Sequence, residues 1–80
     1  MKLPRDLSGS RLADLLSRVG YRVTRQTPRN TRLTVDTPSR RHITIPVHES
    51  LNLSLVNLII GDVAIHLGIT QDELKRRLFG

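Results

Sequence analysis

Few side chains in this 80-residue chain could do chemistry, and most of those are cations. Cysteine is absent, which removes thiolate nucleophiles, disulfides and cysteine-based zinc sites. The acids are scattered rather than paired, and no phosphate-cradling glycine loop, paired metal-ligand spacing or serine nucleophile motif occurs. No metal or cofactor is expected. What remains is three imidazoles, His42, His48 and His66, and a group of arginines around residues 22 to 32. An imidazole ordinarily titrates at about pH 6.5, so it can take a proton from an RNA 2′-hydroxyl or a water and return it to a leaving group. His66 falls within a helical pattern, where a lone histidine caps or packs. His42 and His48 share the polar parity of a strand and are the candidates for acid-base work.

The net charge is +6, and it is unevenly spread: residues 1–41 hold ten of the thirteen Lys and Arg against three acids, a local balance of +7. A small domain charged on one side suits a polyanionic partner, nucleic acid first and an acidic protein second. In that half arginine outnumbers lysine nine to one, and guanidinium matches phosphate bidentately. Tyr21 and Phe79 are the only aromatics, too few for a surface that stacks unpaired bases in series. RNA would therefore be held through its backbone and shape. The N-terminal residues lack the apolar run of a signal peptide, and no stretch approaches a membrane span. The expectation is a cytoplasmic protein with no membrane partner.

The elements that must position these groups follow from periodicity. Leu12, Leu15, Leu16 and Val19 recur at helical spacing after a Ser8 or Ser10 cap with Leu7 as staple, and Gly20 is the stop. Residues 21–26 and 30–36 form a hairpin about Thr27, Pro28 and Arg29. Val23, Leu33 and Val35 share the core parity, while Arg22, Thr24, Gln26, Asn30, Arg32 and Thr34 share the polar one. A third strand over 42–47 should bury Ile43, Ile45 and Val47. Matching apolar residues across the buried face pairs Val35 with Ile43 and Leu33 with Ile45, which sets Asn30 opposite His48. A long helix over 54–67 buries Val56, Ile59, Ile60, Val63, Ala64 and Leu67, with Gly61 as an internal weak point. A Thr70-x-x-Glu73 capping box opens a short last helix. The sum is one α+β domain spanning residues 1–80, α-β-β-β-α in order. Its three-stranded antiparallel sheet carries two helices on one face, as in a double-stranded RNA-binding domain.

Several segments together resemble the HicA toxins, small ribonucleases of toxin-antitoxin modules. They are the Leu3-Pro4-Arg5-Asp6-Leu7-Ser8-Gly9 start, Gly20-Tyr21-x-Val23-x-Arg25-Gln26, Pro46-Val47-His48, and Asp62-Val63-Ala64-x-His66-Leu67-Gly68. The similarity extends over nearly the whole chain. It implies a fold like that of double-stranded RNA-binding domains, metal-independent cleavage of mRNA, and silencing by a HicB-like antitoxin. The family's catalytic histidine sits in a Gly-Ser-His motif directly after the Arg-Gln-x segment. Here that place is held by Pro28, Arg29 and Asn30, and the Gly-Thr helix start of relatives reads Ser54-Leu55. A carboxamide can orient a group but cannot shuttle a proton. The resemblance therefore implies an RNA-binding domain with Arg22, Arg25, Arg29 and Arg32 on phosphates and Asn30 at the former catalytic position. His48 is the possible substitute, His42 the other, and nuclease activity is lost or weak. A module that binds the antitoxin without catalysis is the alternative.

Overall fold

In the computed structural model, which describes residues 3–80, the chain runs α1 (Gly9–Leu16), a 3-10 turn (Ser17–Val19), β1 (Arg22–Gln26), β2 (Asn30–Val35), β3 (Arg41–Pro46), α2 (Leu53–Leu67) and α3 (Gln71–Phe79). The three strands make one antiparallel sheet with β2 in the centre. The expected α+β order is present, and the short last helix that the capping box opens is nine residues long.

Local chemistry explains where each helix begins. Ser8 caps α1 by accepting from the Arg11 N–H, Asn52 caps α2 through the Ser54 N–H, and Thr70 caps α3 through the Glu73 N–H. Gly20 and Gly68 end the first two helical segments in left-handed backbone. The apolar stripe of each helix meets one face of the sheet in a single cluster. Leu12, Leu15 and Leu16 of α1, Val56, Ile60 and Val63 of α2, and Leu74 and Leu78 of α3 close over Leu33, Val35, Ile43 and Ile45. Tyr21, just before β1, is buried in the same cluster with its hydroxyl unpartnered. Burial pushes that phenol above its ordinary value; the Asp62 carboxylate adds to the rise and Arg41 opposes it.

Four expectations need correction. The register between β2 and β3 is displaced by two residues: Leu33 faces Ile43, Thr31 faces Ile45 and Asn30 faces Pro46. Apolar matching failed because Thr31, nominally polar, is buried on the core face, while the Arg41 guanidinium, opposite Val35, reaches the Asp62 carboxylate of α2. Val47 lies beyond the end of β3 and is 43% exposed. Val23 keeps the core parity opposite Leu33 but is 50% exposed, because it lines an open cleft between α1 and β1 with Ala13, Ser17 and Gln26. Finally, the β1–β2 register shifts between Val23 and Arg25, so Thr24 is an extra residue, and Gln26 moves to the core side opposite Thr31.

The N-terminus of α1 sits directly on the end of β3. The Gly9 N–H donates to the His48 carbonyl at 2.9 Å, and a β-carbon on Gly9 would lie 2.1 Å from the Pro46 carbonyl oxygen. No side chain fits there without displacing backbone. Gly9→Ala should therefore lower stability by about 1–3 kcal/mol, read as an earlier urea midpoint. An unchanged midpoint would show that α1 stands off from β3.

Candidate nucleic-acid interface

The helices cover one face of the sheet and leave the other bare. On that uncovered face the antiparallel pairing aligns Arg22 with Thr34 and His42, and Arg25 with Arg32 and Thr44, with Asn30 beside Pro46 at the turn end. The bulge at Thr24 is what brings Arg25 here; in unbroken pairing it would oppose Thr31 and point to the core side. Arg25 and Arg32 thus stand directly across from one another, both exposed, and among the described residues neither joins an ion pair. Two like charges opposite each other on neighbouring strands repel. An anion lying between them removes the penalty.

The other two arginines expected at the site differ in their engagement. Arg22 is bound to the Asp36 carboxylate, which also accepts from Arg40 Nε at 3.3 Å. Arg29 occupies the β1–β2 turn, exposed, and its carbonyl accepts from the Val47 N–H at 2.9 Å. The turn itself is built by Thr27. Its hydroxyl oxygen accepts from the Asn30 N–H at 3.0 Å, and its N–H donates to the Asn30 carbonyl at 2.9 Å. The Asn30 backbone is therefore fixed, while its carboxamide has no hydrogen-bond partner among the described residues and shares the face of Arg32.

His48 is not brought to this face. The two-residue displacement carries it past the last strand pair, and its N–H turns back to the Pro46 carbonyl while its own carbonyl holds Gly9. His66 lies in the last turn of α2, where Nε2 meets the Ser39 carbonyl at 2.9 Å and ties the β2–β3 connection to the helix. His42 is the imidazole that belongs to the bare face. Its Nδ1 is 2.8 Å from Thr34 Oγ1, which is 2.7 Å from Thr24 Oγ1, and Thr24 in turn reaches the Arg32 carbonyl at 3.5 Å.

This chain of hydroxyls has one of two directions. A carbonyl only accepts, so if the Thr24 hydroxyl is given to Arg32, the Thr34 hydroxyl donates to Thr24 and the imidazole donates from Nδ1 to Thr34; if Thr24 instead donates to Thr34, both bonds reverse. In the first direction Nε2 is left as a bare acceptor on an exposed ring. Thr24 and Thr34 escaped the sequence reading because their importance lies in a cross-strand alignment created by the bulge. The one available signal was their shared polar parity with His42.

Among the described residues, no three His, Asp or Glu side chains come together as metal ligands. No single helix there is long and apolar enough to cross a membrane. The structure thus defines an α+β domain, three strands under one helical layer, with an uncovered cationic sheet face. No protein-family model, curated protein or solved structure matches the chain.

Two measurements check this geometry. Nitrogen-15 spectra of the imidazoles should show the neutral His42 ring carrying its proton on Nδ1, and Thr34→Val should remove that preference. The Asp36 carboxyl is held below its ordinary value of 3.8, chiefly by the hydrogen bond from Arg22 and then by Arg40. A lowered folded-state value stabilises the fold above the unfolded value, and the gain is lost as pH falls through the folded one. Arg22→Gln should raise the Asp36 midpoint in a carboxyl titration; no change would show that the pair does not form in solution.

Proposed function

We propose that this protein is a HicA-like domain of a toxin-antitoxin module that binds mRNA through its bare sheet face, with ribonuclease activity lost or weak. One observation carries the reading: Arg25 and Arg32, paired across two strands without a carboxylate between them. Natural sheets set opposite charges across strands or separate like ones, because an unrelieved pair costs stability. A phosphodiester bridging the two guanidinium groups turns that cost into affinity. Arg29 at the turn and Arg22 at the far end extend the same cationic track, although Asp36 already neutralises part of Arg22. Support for the family comes from the quoted motifs and from the agreement in element order.

The same reading accounts for weak chemistry. Asn30 stands where the family places its catalytic histidine, beside the free arginines but without a proton to exchange. His48 lies past the last strand pair, where its backbone carbonyl holds the Gly9 N–H of α1. A cytoplasmic location would follow from an mRNA target.

A second reading, a module that engages a HicB-like antitoxin without catalysis, is favoured by a different observation. Leu58 and Ile65, two turns apart on α2, are 71% and 83% exposed, an apolar row that none of the described residues covers. The two readings use different faces.

Titrating an mRNA fragment across salt concentrations separates them. Phosphate binding predicts a log-log slope that flattens by roughly 1.5 in the Arg25→Gln/Arg32→Gln double variant, since each lost contact contributes about 0.7–0.9. No affinity at low salt would sink the RNA reading and leave the antitoxin one. For chemistry, Asn30→His should raise cleavage by about a hundredfold or more at unchanged affinity. Rapid cleavage by the unaltered chain would make it a full enzyme instead.

A further inference from the structure

We propose that His42 is the group that distinguishes RNA from DNA on this face, accepting a hydrogen bond from a ribose 2′-hydroxyl through Nε2. The inference rests on the RNA-binding reading above and gives His42 a role in recognition in place of the acid-base role the sequence suggested for it. It stands on the relay of three side chains, one from each strand. Thr34, only 2% exposed, sits at the centre of the bare face with its hydroxyl fully engaged, within hydrogen-bond distance of both His42 Nδ1 and Thr24 Oγ1, and the proposed direction runs from Nδ1 to Thr34 to Thr24.

A hydroxyl buried on an uncovered sheet face is unusual, because water normally reaches the polar side of such a sheet. Here the flanking Thr24 and His42 side chains hydrogen-bond to it from both neighbouring strands. The cost of fixing three side chains is repaid by orientation: the ring cannot flip its tautomer without reversing two hydroxyls. In that direction it offers an acceptor outward, whereas the cations around it, Arg22, Arg25 and Arg32, can only donate, and the other free acceptor on the face, the Asn30 carboxamide, lies at the turn end of the sheet. Phosphate oxygens accept, so they belong to the arginines. A 2′-hydroxyl can donate, so it belongs to His42, and DNA has no counterpart. Arg32 and His42 are diagonal neighbours across β2 and β3, close enough for one nucleotide to meet both.

The experiment compares affinities of the protein for an RNA oligonucleotide, the DNA of the same sequence, and the 2′-O-methyl RNA, by fluorescence anisotropy at low salt. The unaltered chain should bind RNA roughly three- to tenfold more tightly than either analogue, the range expected of one hydrogen bond. His42→Phe should erase that preference while keeping the DNA affinity, and Thr34→Val should reduce it, with Thr34→Ser restoring it. Equal affinity of the unaltered chain for all three probes overturns the proposal, as does a preference that survives His42→Phe. If Thr34→Val fails to fold, the exposed His42 variant decides alone. Failure to bind any of the three at low salt is a separate result: it removes the RNA-binding reading itself, and this inference with it.

Discussion

The seating of α1 on the end of β3 fixes what the rest of the molecule can do. Gly9 touches the Pro46 carbonyl so closely that only hydrogen fits, and its N–H takes the His48 carbonyl. Two residues earlier, the Leu7 carbonyl accepts the Leu51 N–H at 2.7 Å. The start of α1 therefore takes the His48 carbonyl, and the Val47 N–H makes the last bond across, to the Arg29 carbonyl. β3 ends there, Asn30 meets a proline rather than an imidazole, and His48 becomes part of a helix junction. A packing constraint on the covered side thereby decides which imidazole reaches the open side.

The open side is shaped by a second backbone feature. Without the extra residue at Thr24, the face would present Arg22, Thr24 and Gln26 from β1, a row with a single cation. With it, Arg25 is turned outward, Gln26 inward, and Thr24 comes within 2.7 Å of Thr34. One inserted residue thus both doubles the positive charge in the middle of the sheet and closes the hydroxyl relay to His42. Bulges concentrate at edge strands, where strain is cheap because one side of the strand is unpaired.

Much of this fold is legible in the chain. The helical stripes, the caps of the first and last helices and the core members Leu33, Val35, Ile43 and Ile45 follow from period and cap chemistry, because burial of those faces dominates the energetics; Asn52, the cap of α2, is not among them. Register was not legible, and the reason is specific. Pairing apolar with apolar treats the buried face as uniformly hydrophobic, yet Thr31 fills a core place on β2 and Arg41 a flanking one on β3. A threonine methyl and an arginine tied to Asp62 satisfy the packing without announcing it. The site suffered from the same gap. Arg25 and Arg32 could be named from charge, but their opposition, the place of Asn30, the removal of His48 and the tethering of His42 all depend on register and on the bulge.

Binding and turnover separate cleanly on such a surface. Near neutral pH an ordinary imidazole is largely uncharged, so replacing one by a carboxamide at position 30 leaves the electrostatic potential of the face nearly unchanged. The attraction of a phosphate backbone to Arg25, Arg29 and Arg32 is a property of summed charge and released counterions, insensitive to which polar group sits among them. Proton transfer is the opposite case, depending on one atom at one place and losing a hundred- to ten-thousandfold, by general acid-base magnitudes of about that size, when the atom is absent. On the proposed reading, a chain that keeps its cations and loses its proton shuttle keeps its grip on RNA. The imidazole of His42 on that face is engaged through Nδ1 with Thr34, and on the same reading what it adds is recognition, in a place where all the neighbouring charged groups can only donate.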